Sequence, residues 1–123
     1  MKNLNLSKDV PLKFISLNIL RYLIKYGVVH LSNYENICTL LFEYLKEGNY
    51  DHIKISASVA LRYLARDIEG LEIPIGFYQK IIKKIELLLS ERMTRNLREL
   101  HRNCVLVYHS LFEQSFQAER NSA

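Results

Sequence analysis

The chain reads as an all-α protein, and three observations carry that reading. Apolar residues fill 49% of its 123 positions, while only four glycines and two prolines punctuate them, too few for the turns of a many-stranded sheet. Apolar side chains recur at three- and four-residue spacing through five segments, the mark of a helix with a buried stripe. No Val/Ile/Thr-rich run alternates with polar residues over the length of a strand.

The five segments fall at 10–27, 33–47, 52–69, 76–92 and 95–117. Their punctuation agrees with this division. Gly27, Gly48 and Gly70 each stand where a left-handed residue closes a helix. Ser32 followed by Glu35 reads as a capping box opening the second segment, and Asn49 or Asp51 can cap the third. Pro74 and Gly76 fall in the connection before the fourth, and Thr94 can cap the fifth. Residues 118–123 carry no periodicity and are expected to fray as a flexible tail.

Length and composition bound the rest. The chain suffices for one domain with a modest core, and its apolar content excludes a disordered chain. No apolar run approaches the ~18 residues that cross a bilayer. The opening "MKNLNLSKDVPLKF" lacks the continuous apolar stretch of a secretory signal. Cys38 and Cys104 both sit inside periodic apolar segments, so they are expected to be reduced and buried, in an intracellular protein of the cytoplasm or nucleus. A net charge of +4 is a mild basic bias.

Four letters, LRYL, occur at Leu20–Leu23 and again at Leu61–Leu64. The flanks extend the match. The same shift sets Leu12-Lys13 on Ile53-Lys54, Ser16 on Ala57, Ile19 on Ala60 and Lys25 on Arg66. A slightly longer shift carries Ile53-Lys54 onto Leu97-Arg98 and Ala60 onto Cys104. "YENICTLLFEYL" and "YQKIIKKIELLL" match in the same way, Tyr34 on Tyr78, Ile37 on Ile81, Leu41 on Ile85 and Leu45 on Leu89. Two helix classes therefore alternate, and LRYL is expected at the core-facing part of the second class.

A two-helix unit of this period, carried mostly by "ICTLLFEYLKEGNYDHIKISASVALRYLARD", resembles the HEAT and armadillo-like α-helical repeats, whose units run to ~40–47 residues. Gly48 stands where such units usually carry an aspartate, with Asp51 nearer. The resemblance implies a five-helix, right-handed superhelical stack of antiparallel helix pairs, with the second helices lining a concave, partner-binding surface. It also implies an end left uncovered, because each unit exposes an apolar side that only a neighbour can cover. That end would meet a partner, a second copy, or more of a longer solenoid. The alternative is a compact five-helix domain that curls over its own ends.

Catalytic patterns are thin. No G-x-S-x-G elbow, Gly-rich phosphate loop or H-E-x-x-H occurs. His101, Cys104 and His109 lack the partners of a tetrahedral metal set, and His109 with Glu113 reads as a surface pair. Glu43 and Glu47 fall on a solvated face. No enzyme activity, metal or cofactor is expected.

Charge says more. On the second-class helices, Lys13, Arg21, Lys25, Lys54, Arg62, Arg66, Arg98 and Arg102 fall on rows that would stack into one basic strip without an acid. Lys80, Lys83 and Lys84 belong to the other layer. The expected role is a protein-binding module or assembly subunit, taking an acidic or amphipathic segment on the strip and on an uncovered apolar end. A nucleic-acid-binding repeat using the same strip is the alternative, disfavoured because Tyr22 and Tyr63 are expected on the core side, leaving no stacking aromatics. The bland alternative is that these cations only solubilise exposed helices.

Overall fold

The computed structural model describes residues 10–26, 33–46 and 48–122, with side chains at all of these except 10–13, 93 and 121–122. The described residues form helices and no strand. They are α1 (Val10–Lys25), α2 (Tyr34–Tyr44), α3 (Asp51–Asp67) closed by a 3₁₀ turn (Ile68–Gly70), α4 (Ile75–Ser90), α5 (Arg92–Asn96) and α6 (Arg98–Ser122).

The expected capping holds in part. Gly48 takes the left-handed conformation, φ 99°, which leaves the chain free to reverse between α2 and α3. Asn49 acts backward rather than forward: its side-chain amide donates to the carbonyls of Glu43, Tyr44 and Lys46 at the end of α2. Tyr50, with extended backbone, precedes α3, and Asp51 is its first residue, where its charge still meets the positive end of the helix dipole. Gly70 ends α3 through a 3₁₀ turn with no left-handed step. Gly76 lies inside α4, with Pro74 before it. Gly27 and Ser32 fall outside the described residues.

Two expectations about the last segments are overturned. Thr94 does not cap the final helix. It is buried within the short helix α5, and breaks at Glu91 and Leu97 separate α5 from α4 and α6. The final helix also continues through Ser122 instead of fraying after 117.

Packing follows from where the small and large apolar residues fall. α3 lies between α1 and α6, while α2 packs on α3 and α4 on α6. Contacts fix the directions. Ser56 meets Asn18 and Arg66 meets Lys25, so α1 and α3 rise together. Ser58 meets Asn103 and Ala65 meets Gln114, so α3 and α6 do too. Tyr34 against Phe77 and Lys84 over the Phe42 ring run α2 and α4 alongside each other. Tyr78 bonded to Gln114 and Tyr108 bonded to Glu86 set α4 antiparallel to α6. One layer thus holds α1, α3 and α6; the other holds α2 and α4.

Leu41, Leu45, Ile53, Leu64, Ile85, Leu100 and Val107 fill the space between the layers. Ala57 and Ala60 are wholly buried on the core side of α3, where short side chains let a neighbouring helix come close. The two LRYL copies differ. Leu61 and Leu64 are buried, but Leu20 is half-buried and Leu23 exposed. Only the second copy is core-facing, because α3 has neighbours on both sides, whereas among the described residues α1 packs mainly on α3.

The contrast between the two copies is measurable by urea unfolding. Leu64→Ala, at a site 1% exposed, is expected to cost about 2–5 kcal/mol. Leu23→Ala, at the matching site of the first copy, 38% exposed, is expected to cost about 1 kcal/mol or less.

Candidate interaction face

The eight cations expected to form one strip do not act alike. Lys54 is buried, 4% exposed, so it leaves the strip. Its row on α3 (Lys54, Ser58, Leu61 and Ala65) is buried throughout and turns toward α6, where Asn103 meets Ser58. The side chain of Lys13 lies outside the described residues. Arg98 and Arg102 are exposed, one turn apart on α6.

Arg21 and Arg62, the two arginines of LRYL, hold seams together. Between α1 and α3, Arg21 Nη1 donates to Ser56 Oγ at 3.5 Å, and Ser56 Oγ donates to Asn18 Oδ1 at 3.2 Å. Between α3 and α6, Arg62 Nη1 donates to Asn103 Oδ1 at 3.0 Å, and Asn103 Nδ2 donates to Ser58 Oγ at 2.9 Å. Each joint is an Asn, a Ser and an Arg, with Asn and Ser exchanged between the helices. Buried amides and hydroxyls need partners, and here each seam supplies them. Sequence reading missed this role. Its signal was present in Asn18 and Asn103, polar residues on otherwise apolar rows.

Lys25, Tyr63 and Arg66 form a cluster. Lys25 Nζ lies 5.6 Å from the Tyr26 ring centroid and 5.9 Å from that of Tyr63. The Arg66 guanidinium sits 5.2 Å from the Tyr63 ring and donates to the Lys25 carbonyl at 3.2 Å. Arg66 also pairs with Asp67 Oδ1 at 3.0 Å, an acid that adjoins the row without lying on it.

Tyr22 is not on the core side, whereas Tyr63 packs partly against the core. Tyr22 is exposed, stacked against Tyr26 with ring centroids 6.2 Å apart and with Arg21 6.0 Å from its ring. Tyr63 is half-buried in the seam between α1 and α3. Cations and tyrosines therefore interleave here, an arrangement worth ~0.5–1 kcal/mol per exposed pair.

The larger surface feature is apolar. Ile15, Ile19, Tyr22 and Tyr26 are all more than half exposed, and their i, i+4, i+7, i+11 spacing puts them on one face of α1. Leu17 and Ile24 occupy the opposite, buried face. The same wheel places Ile55, Val59, Arg62 and Arg66 opposite the core row of α3. It places Arg102 and Leu106 opposite Cys104 and Leu111 of α6. All three rows look away from α2 and α4. The outward face of this layer is thus a patch of half-exposed and exposed aliphatic and tyrosine side chains bordered by cations.

The other chemistry disperses. Cys38 and Cys104 are buried free thiols. Burial pushes Cys38 up to about 12 and Cys104 up to about 11, so neither supplies a thiolate nucleophile near neutrality. His109 does not pair with Glu113; its ring lies edge-on to Tyr108. Among the described residues no three of His, Cys, Asp and Glu gather as a metal site, and no helix is long and apolar enough to cross a membrane. Lys84 does not project freely from the other layer, since it lies over the Phe42 ring.

Neither family models, nor curated proteins, nor solved structures provide a match to this chain.

Removing Asn103 tests the seam. Asn103→Ala leaves Ser58 and Arg62 without their shared partner and is expected to cost about 1–3 kcal/mol. In a double-mutant cycle with Ser58→Ala the two losses should fall well short of additive.

Alkaline titration tests the thiols. Both folded-state values are raised above the ordinary 9.0, so below pH 9 the thiols are neutral in both states and contribute nothing. Above it the unfolded chain ionises first. Stability should fall as pH rises from 9.0 toward about 12, by up to ~1.4 kcal/mol per unit per thiol, and Cys38→Ala with Cys104→Ala should flatten that part of the curve.

Proposed function

We propose that the chain is a non-catalytic, HEAT/armadillo-like helical-repeat module that binds an acidic amphipathic segment of a protein partner, as a subunit or adaptor within a larger assembly. The observation that carries this reading is the apolar row Ile15, Ile19, Tyr22, Tyr26 beside the cations Arg21 and Lys25. An apolar row at helical spacing is complementary to a second amphipathic helix. Two layers of parallel helices with matching Asn–Ser–Arg seams support the solenoid reading of the fold.

Magnitudes decide why the partner should be acidic as well as apolar. Full burial of such a side chain contributes ~1.5–3 kcal/mol, and these four are already partly covered, so the row supplies roughly 3–6 kcal/mol. Association itself costs ~4–15 kcal/mol. The apolar row alone is therefore marginal. Charge-assisted bonds from Lys25, Arg62 or Arg66 to carboxylates, at ~1.5–3 kcal/mol each, shift the balance toward measurable binding.

A nucleic-acid-binding reading draws on the interleaving of Tyr22, Tyr26 and Tyr63 with Arg21, Lys25 and Arg66. It is the weaker of the two. Lys54 is buried and the side chain of Lys13 lies outside the described residues. The six other cations would give a salt slope no steeper than about −5. Exposed isoleucines such as Ile15 and Ile19 have no role against a phosphate backbone.

Fluorescence anisotropy separates the readings. A labelled helix with leucines at i, i+4 and i+7 between glutamates is expected to bind at micromolar affinity, about −8 kcal/mol. The same helix with lysines for glutamates, and single- and double-stranded DNA, should bind at least ~10-fold more weakly, a difference of about 1.4 kcal/mol. Ile15→Gln with Ile19→Gln should lose the peptide while keeping the helical circular dichroism. Equal binding of acidic and basic helices removes the proposal, and DNA binding with a steep salt slope replaces it by the second reading.

A further inference from the structure

One end of the α1–α3–α6 layer carries two opposite charges side by side. Arg66 donates to the Lys25 carbonyl and Gln114 to the Ala65 carbonyl, so Lys25, Arg66 and Gln114 stand at one level. On the α1 side of that end lie Lys25, Arg66 and the exposed ring of Tyr26. On the α6 side, the connection after α3 and the second half of α6 enclose an open groove of about 790 Å³. Glu69, Glu72 and Glu113 are exposed on its walls, with Leu71, Ile75 and Phe116 among its apolar lining. The ion pairs among the described residues, Lys46–Glu43 and Arg66–Asp67, involve none of these three carboxylates. On a chain of net charge +4, three uncompensated acids around an apolar groove are a local reversal of sign.

We propose that a second copy of the chain occupies this groove, in a two-fold dimer that seats Lys25 and Tyr26 of each copy in the groove of the other. The argument is complementarity: each copy carries a cation with an exposed aromatic anchor, and an acid-walled groove within the ~300–1,000 Å³ that suits such an anchor. Both patches sit at the same end of the layer, on either side of α3. A two-fold rotation about an axis at that end therefore brings each patch onto its complement and closes the assembly, whereas patches at opposite ends would propagate a filament. The groove plays no part in the partner reading above. The two proposals meet only at the cation end of α1, so dimerisation and partner binding would compete there.

Size-exclusion chromatography with light scattering tests this on the full chain. At about 0.1 M salt, with a screening length of roughly 10 Å, the wild type should approach twice 14.5 kDa. At about 1 M salt, with a length of roughly 3 Å, it should shift toward monomer. Lys25→Glu alone, and Glu72→Lys with Glu113→Lys, should each be monomeric. Mixing the two variants allows a heterodimer with one wild-type contact and one contact with signs exchanged, so the mixture should recover the dimer mass. The proposal is overturned by a monomeric wild type at low salt, by a dimer in either variant, or by a mixture that stays monomeric. If a charge-reversed variant loses its helical circular dichroism, Glu72→Gln with Glu113→Gln decides: dimerisation that is not weakened at least ~10-fold overturns it. Ile15→Gln with Ile19→Gln should leave the dimer intact, so failure of the peptide reading and failure of this one are read separately.

Discussion

The close packing of α3 between α1 and α6 is the constraint on which the rest of the structure depends. α3 offers small side chains to its neighbours: Ser56, Ala57, Ser58, Ala60 and Ala65 are all buried. Small residues admit close approach but contribute little apolar area of their own. The interface therefore gains specificity from its polar members. A buried hydroxyl or amide left without a partner costs about 1–3 kcal/mol. Sliding α6 by one turn, ~5.4 Å, would separate Ser58 from Asn103 and Ala65 from Gln114 at once. Gln114 strengthens this fixation because it also accepts from the Tyr78 hydroxyl of α4, joining both layers through one buried amide.

This constraint changes what the arginines mean. Arg62 is exposed yet committed, because one nitrogen holds the buried Asn103. Its other donors remain available, so a ligand could use Arg62 without breaking the seam, but a mutation of Arg62 would disturb seam and ligand together. Charge reversal at Arg62 and Arg66 is accordingly a poor probe of binding, whereas the exposed Ile15 and Ile19 make a cleaner one. Function at this face, if it follows the apolar row, is separable from folding only at positions the seams do not use.

The helical class was legible in the sequence, since it rests on local periodicity. The fate of individual side chains was not, because a match between helices says nothing about how many neighbours each helix has. Tyr22 and Tyr63 occupy equivalent positions in LRYL, yet Tyr63 lies in a seam and Tyr22 on an outward face. Lys54 aligns with exposed Arg98 and is buried all the same, since α6 covers that side of α3. The break at Leu97 was equally hidden: Thr94 has the chemistry of a cap, and only the tertiary contacts that bury it decide otherwise. The acid-walled groove could not be read at all, because Glu69, Glu72 and Glu113 come together only when the connection after α3 folds against α6.

The two seams are not equally firm, and the difference bears on which helix can adapt. Between α3 and α6 the polar bonds run from 2.8 to 3.0 Å; between α1 and α3 they run from 3.2 to 3.5 Å. Hydrogen bonds at the longer distances lie at the edge of useful geometry. Arg66 adds to the α1–α3 seam, but its pair with Asp67 is half-exposed, a setting in which ion pairs contribute ~0–1 kcal/mol. Among the described residues α1 also packs mainly on α3, while α6 is held by α3, α4 and α5. Few buried contacts and weak polar bonds mark the low-stability end of a fold, the end from which adjustable binding surfaces are drawn. The exposed apolar row thus sits on the less firmly held side of α3, and a partner of the proposed kind would tighten the seam beneath it.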